Sequence, residues 1–277
     1  MKMMNRLIYL ITLCALCTAA NAQLSQSWIT EAKLEVPESV KYYEEGQCIF
    51  VSNIVGSPAN KDGVGFISKL SLKGEVIHLK WIEGLDAPKG MAINDGVLYV
   101  SNINELVIID IEQAKIVKRI PHVEASFLND VTITHNNEVL VSDSGNACIY
   151  VLKDSKLEVW LQSEAIKGVN GLFAEEDYVL VGTNNRILKV EVASKTHEVF
   201  VETTGQVDGI ESDGKGGYYY SYWEGEMYYF KPSHDPVKLL DTQADNIQSA
   251  DIAYNPHTGE VLVPTFFANQ VVAYIKD

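Results

Sequence analysis

Six polar side chains recur along the chain at nearly constant intervals: Glu38, Lys89, Asn129, Asn170, Asp208 and Asp251, spaced 51, 40, 41, 38 and 43 residues apart. Three are carboxylates, two are amides and one is a cation. Brought to one place, Glu38, Asn129, Asn170 and Asp208 offer four hard oxygen donors. That set suits a calcium ion, which accepts about 6–8 oxygens in a flexible shell, so waters or a substrate would complete it. Magnesium, which prefers a tighter octahedron, is the second choice. Zinc is disfavoured because no His or Cys occupies any of the six positions. The competing reading is that each residue caps a strand by bonding free backbone groups, as Asn and Asp often do. One position alone would be read that way. Four oxygen donors in register favour the metal, because clustered buried carboxylates need a compensating charge.

The elements that position these residues repeat in step with them. Each polar residue is followed, after 13, 11, 12, 11, 12 and 12 residues respectively, by the second letter of a short core read as an inner strand. The cores are Phe50-Val51-Ser52-Asn53, Tyr99-Val100-Ser101-Asn102, Leu140-Val141-Ser142-Asp143, Leu180-Val181-Gly182-Thr183, Tyr219-Tyr220-Ser221-Tyr222 and Leu262-Val263-Pro264-Thr265. A period of roughly 40 residues built from short strands is the signature of a β-propeller. The fold class expected is therefore all-β: a six-bladed propeller with four-stranded blades. Gly, Asn and Asp clusters such as Asn94-Asp95-Gly96 and Asp213-Gly214-Lys215-Gly216-Gly217 supply the positive φ values that hairpins need. Third strands are expected at segments such as Ile187–Val192 and Met227–Phe230. Fourth strands are expected at Val76–Trp81, Ile116–Ile120, Leu157–Leu161, Glu198–Glu202 and Val237–Leu240. No long segment carries helical periodicity.

Blade 6 runs out after three strands, at Gln270–Lys276. Trp28–Val36 has strand composition and no blade of its own, so it is expected to supply the missing strand, closing the ring and hiding an edge. The first spacing is about ten residues longer than the others. The surplus lies in Ile54–Gly65, a connection expected to border the mouth of the channel.

Residues 1–22 read as a secretory signal: Lys2 and Arg6 at the start, an apolar stretch from Leu7 to Cys17, and Ala20-Asn21-Ala22 before the cut. The apolar run is shorter than the roughly 20 residues a membrane helix needs. The expected mature chain, residues 23–277, is one propeller domain, exported to the periplasm or secreted. Loss of Lys2 and Arg6 takes the formal net charge from −15 to −17. Such a surface repels nucleic acid. The partner expected is a small molecule, with no nucleic acid, no membrane span and a monomeric chain. Cys48 and Cys148 fall on different blades and read as buried free thiols.

Four segments carry a family resemblance. Pro37-Glu38-Ser39-Val40, Phe127-Leu128-Asn129-Asp130, Val169-Asn170-Gly171-Leu172 and Val207-Asp208-Gly209-Ile210, in that order on blades 1, 3, 4 and 5, resemble the regucalcin/gluconolactonase family of six-bladed propellers. The resemblance implies that the matching Glu, Asn, Asn and Asp bind a divalent metal. It also implies hydrolysis of a sugar lactone or related ester, with Asp208 as general base. Family members acting on sugar lactones commonly carry an Arg two residues before the first Asn; this chain has Phe127 there, which puts a less polar substrate in view.

On this reading Asp208 ligates the metal or takes a proton, and Lys89 either stabilises a developing oxyanion or pairs with Glu38 or Asp251. Phe127, Asp251, Trp223, Phe266 and Phe267 are expected to contact substrate; the last three follow second strands and suit an apolar pocket, although packing between blades is the commoner use of such rings. Other catalytic patterns are poor. Ser142-Asp143-Ser144-Gly145 has the wrong frame for a nucleophile elbow, no His-Glu-x-x-His occurs, and His122, on a connection near the mouth, reads as a solvated loop residue. The function expected is a metal-dependent hydrolase of a lactone or small ester. The alternative is a non-catalytic propeller binding a small ligand or protein at the same face.

Overall fold

A computed structural model describes residues 24–277; the expected signal segment lies outside the described residues. Six four-stranded antiparallel sheets follow one another in sequence. Blade 1 comprises Pro37–Tyr43, Cys48–Asn53, Gly65–Ser71 and Val76–Leu85, and blades 2 to 5 repeat this order up to Asp241. Blade 6 has three strands of its own, Ala253–Asn255, Glu260–Pro264 and Val271–Lys276. Its fourth strand comes from the other end of the chain: Leu24–Ile29 pairs antiparallel with Val271–Lys276, with Leu24 opposite Lys276 and Ile29 opposite Val272. The closing strand thus begins four residues earlier than the sequence suggested, and Thr30–Val36 instead leads into blade 1.

The repeated tetrapeptides lie on the second strand of each blade, not the innermost one; the innermost strands are those beside the six polar residues. The reason for their apolar character is visible in the packing. Alternate residues of a strand point to opposite faces, and here both faces are covered by neighbouring blades. Cys48 and Phe50 pack toward blade 2 with Met91, Leu98 and Val100. Ile49 and Val51 pack toward blade 6 with Ala253, Leu262 and Ala273. Four further clusters fill the remaining blade interfaces in the same way. Each cluster belongs to two blades, so no blade buries its core alone and closure of the ring is a condition for all six. Phe50 is completely buried, and truncation of such a side chain to Ala costs about 3–5 kcal/mol.

Helical structure among the described residues is limited to three short 3-10 turns, and no helix there is long and apolar enough to cross a membrane. Cys48 and Cys148 are buried in separate interface clusters and form no disulfide among the described residues.

Candidate active site

The first two strands of blades 1, 2 and 3 shift register around the polar residue, between Pro37 and Val40, Pro88 and Met91, and Leu128 and Val131. A bulge of this kind leaves a residue unpaired and re-aims its side chain. The backbone amide freed there is taken by the serine of the second strand. Ser39 N donates to Ser52 Oγ at 2.9 Å and Asp130 N to Ser142 Oγ at 2.8 Å; in blade 5, Gly209 N donates to Ser221 Oγ at 3.0 Å. In these three blades the bond ties the polar residue to the second-strand core and accounts for the offset between them. The blades also approach closely near the axis: a Cβ on Gly171 would lie 2.4 Å from the Asp208 carbonyl oxygen, and one on Gly209 would lie 2.6 Å from the Ile252 amide nitrogen.

Five of the six polar residues meet at one cavity of about 420 Å³, lined by Glu38, Lys89, Asn129, Asn170 and Asp208 together with Phe127, Trp223, Phe266 and Phe267. All five are buried, none more than 8% exposed. Asn170 Nδ2 donates to Asp208 Oδ1 at 2.5 Å, and Asn129 Nδ2 donates to Ser144 Oγ at 3.3 Å. Both amides are thereby held by their nitrogens. Glu38 Oε2 is buried and has no hydrogen-bond partner among the described residues. A buried carboxylate oxygen left without a donor carries its full desolvation penalty.

The electrostatics agree. Burial, then the nearby Asp208, pushes the Glu38 carboxyl well above its usual range, and Lys89 only partly offsets this. Burial and Asp251 push Asp208 up to about 8 against the Asn170 hydrogen bond. Burial also brings Lys89 down to about 8, with Glu38 acting in the other direction. Both carboxylates therefore lack adequate positive compensation from the protein. The donor set contains oxygen only, two carboxylates and two amides, which fits a hard divalent cation. Among the described residues no group of three or more His, Cys, Asp or Glu forms a metal cluster, so a cation here would depend on the two amides.

Lys89 does not form the ion pair that its position suggested. Its Nζ donates to Pro58 O at 2.9 Å and Ala87 O at 3.0 Å and lies 4.5 Å from the centroid of the Phe127 ring. The loop between the second and third strands of blade 1 brings Pro58 and Ile54 to the cavity wall, so it does border the mouth, and it supplies one of the carbonyls that hold the lysine.

Asp251 is not among the residues lining the cavity. Its Oδ2 accepts from Ser39 Oγ at 2.5 Å, its backbone nitrogen donates to Glu38 O at 2.9 Å, and it bridges Ser39 in parallel pairing. It belongs to a second polar layer. There Lys41 Nζ lies 2.8 Å from Glu211 Oε1, and Asp130 accepts from Val131 N and Leu172 N, both at 2.6 Å. Burial pushes Asp251 up to about 7, while the Ser39 hydroxyl and Lys41 pull it down.

At the rim, Trp223, Phe266 and Phe267 form a mutually perpendicular group with ring centroids 4.8–6.1 Å apart. Tyr222 is turned inward, where its hydroxyl accepts from Thr204 N. His122 does not line the cavity; it is half-buried, and its ring packs edge-on against Tyr150 at 4.6 Å. Ser144, Gln206 and Glu224 line the cavity and were not anticipated. They follow the second strand of blade 3, precede the first strand of blade 5 and follow its second strand, the same rim positions as Phe127 and Trp223.

No protein-family model matches the chain, and no curated protein matches it in sequence. Solved structures do resemble it. A streptogramin B lyase aligns at 12% identity over 93% of this chain and 98% of that one, with a TM-score of 0.67. A catalytically inactive histidine-to-alanine variant of virginiamycin B lyase from Staphylococcus aureus, with quinupristin, aligns at 13% identity over 91% and 99%, with a TM-score of 0.63. A provisionally named gluconolactonase aligns at 15% identity over 93% of each chain, with a TM-score of 0.68. At these identities the likeness shows the fold alone.

Proposed function

We propose that this chain is an exported, divalent-metal-dependent hydrolase of a lactone or small ester, resembling the regucalcin/gluconolactonase family. The observation that carries the reading is the buried, donorless Glu38 Oε2 in one cavity with Asp208, Asn129 and Asn170. Those four residues would hold the cation, with calcium first and magnesium second by donor type. Once bound, a divalent cation supplies Lewis-acid polarisation of a carbonyl and lowers the pKa of water.

The chain's own residues account for the rest. Asn170 fixes the Asp208 carboxylate through Oδ1; Oδ2 accepts no hydrogen bond among the described residues and takes the proton of the attacking water. Water adds to the carbonyl carbon, the ring or ester C–O bond breaks, and the proton passes on to the leaving alkoxide. Lys89 contributes positive charge near the carbonyl oxygen, with two of its three N–H donors already committed to Pro58 and Ala87. The named gluconolactonase among the structural neighbours supports this reading.

The test is turnover of a lactone and ester panel with calcium, with chelator, and for Asp208→Asn and Asn170→Ala. Chelator-sensitive hydrolysis lost in both variants is expected. Tight calcium binding with no turnover on any member of the panel would make the chain a binding propeller.

A further inference from the structure

The hydrogen-bonding groups of the cavity are unevenly available. Each ammonium, amide and hydroxyl group in its wall already donates at least one hydrogen bond to the protein, so few fixed donors are left for a ligand. Lys89 Nζ holds Pro58 O and Ala87 O. Ser144 Oγ donates to Val169 O at 2.6 Å and Gln206 Nε2 to Gly168 O at 3.0 Å. The two Asn nitrogens hold Ser144 and Asp208. A polyhydroxylated ligand needs several free, fixed polar partners, because each unpaired hydroxyl it buries carries a desolvation cost.

The apolar part of the wall is arranged differently. Ile54, Pro58, Phe127, Trp223, Phe266 and Phe267 share the cavity with the oxygen donors. Phe267 is 57% exposed and Trp223 is 38% exposed, although both sit beside a closed core. Their platform is rigid. Phe266 is itself buried, packs on Ile54, Ala87, Ile103 and Ala250, and has a left-handed φ of 48°. A bulky residue in that region is strained and persists only where its surroundings over-determine it. Those surroundings are explicit: Thr265 N donates to Gln270 O at 2.9 Å, Val36 N to Asn269 Oδ1 at 2.8 Å, and Gln270 Nε2 to Thr30 O at 2.8 Å. The turn is therefore clamped to the segment that leads into blade 1 and Glu38, and it holds the Phe267 ring at the mouth.

We infer that the substrate is a lactone or ester bearing an apolar alkyl or aryl substituent, which lies on the Trp223–Phe266–Phe267 wall while its carbonyl oxygen is directed toward Glu38, Asn129, Asn170 and Asp208. This rests on the hydrolase reading for the reacting end of the ligand, but the apolar seat has its own readout.

The test uses the calcium-loaded chain and two ligand series. Unreactive 2-alkylcyclopentanones, from methyl to hexyl, measure binding by calorimetry. γ-Butyrolactone, γ-decalactone and glucono-δ-lactone measure turnover. Affinity for the ketones is expected to rise up to about fourfold per methylene, the scale of full apolar burial. Phe267→Ala should flatten that rise and Phe267→Leu should restore most of it; Phe267 is exposed enough that neither change threatens the fold. Among lactones, kcat/KM should be highest for γ-decalactone. A chain-length dependence in the ketones with no lactone turnover would sink the hydrolase reading and leave the apolar seat standing, its ligand no longer an ester substrate. A flat ketone series, or preference for glucono-δ-lactone, would overturn the inference and leave the hydrolase reading intact.

Discussion

Two polar layers stand on the axis of this propeller, and they are built on opposite terms. The layer of Ser39, Lys41, Asp130, Glu211 and Asp251 is closed on itself. Lys41 meets Glu211, Ser39 meets Asp251, and both oxygens of Asp130 accept backbone amides. The layer of Glu38, Asn129, Asn170 and Asp208 leaves a buried carboxylate oxygen without a donor, whereas repulsion between carboxylates is common to both layers, Asp208 raising Glu38 and Asp251 raising both Asp130 and Asp208. Both layers are made of similar residues at adjacent sequence positions: Glu38 beside Ser39, Asn129 beside Asp130. The difference is completeness. A satisfied buried network supports the fold, whereas an unsatisfied one is stable only with a ligand that supplies what is missing.

The comparison can be broken from either side. The largest effect should come from the open layer: Asp208→Asn should lower kcat/KM by at least about a hundredfold and abolish calcium binding, while the metal-free protein near neutrality melts no lower than wild type, since the raised Asp208 carboxyl is already largely protonated there and a neutral amide replaces a neutral acid. Chelated samples in a thermal melt check the second half. If Asp208→Asn strongly destabilises the metal-free fold, the layer is structural after all.

The next effect is the pH dependence of metal-free stability. The folded pKa of Asp208 is raised to about 8 from an ordinary value near 4. Between the two, the folded state holds a proton that the unfolded state has released. The unfolding free energy therefore falls as pH rises through that window. Calcium, which needs the ionised carboxylate, should bind more tightly over the same rise and restore the melting temperature at the alkaline end. Melting curves at pH 5 and 8, with and without calcium, read both slopes. A metal-free melting temperature that climbs with pH in this range would contradict the assignment.

The closed layer should respond in stability and not in metal affinity. Asp130→Ala strands the amides of Val131 and Leu172 and should cost about 2–4 kcal/mol in denaturant unfolding, with the calcium affinity of the folded fraction nearly unchanged. Smallest of all, Lys41→Met removes one partner of a pair whose lysine is about a third exposed and leaves Glu211 without its cation, and a loss of about 1–2 kcal/mol is expected. A large change in calcium affinity from either substitution would mean that the two layers are not separable.

The propeller was legible because one strand-and-turn unit had to be written again in each blade, and in blades 1, 3 and 5 a second-strand serine pins the first strand beside the polar residue. Glu38 and Asn129 followed from it, as did Asp208 through Ser221. Asn170 followed without a serine, since Gly182 N bonds Gly171 O directly at 2.8 Å. Asp251 had the same spacing but went to the other layer. Its carboxylate is captured by Ser39, a hydroxyl whose partner lies 212 residues away, and no local pattern announces such a contact. Lys89 lines the cavity, and of the two roles the sequence left open the pairing with a carboxylate is not the one its hydrogen bonds make: one of its carbonyl partners, Pro58, sits in the inserted loop, whose path has no repeat to predict it. The closing strand was found by elimination, and its first residue was missed because edge strands carry a weak alternation; only Leu24 and Trp28 of Leu24–Ile29 are even half-buried.

The most direct test of the account is a calorimetric titration of the folded, chelator-treated chain with calcium, run beside Glu38→Gln. The account predicts saturable heat at one site per chain, and in the variant an affinity weaker by at least tenfold. No heat from any alkaline-earth ion, or a wild-type isotherm reproduced by the variant, would contradict it.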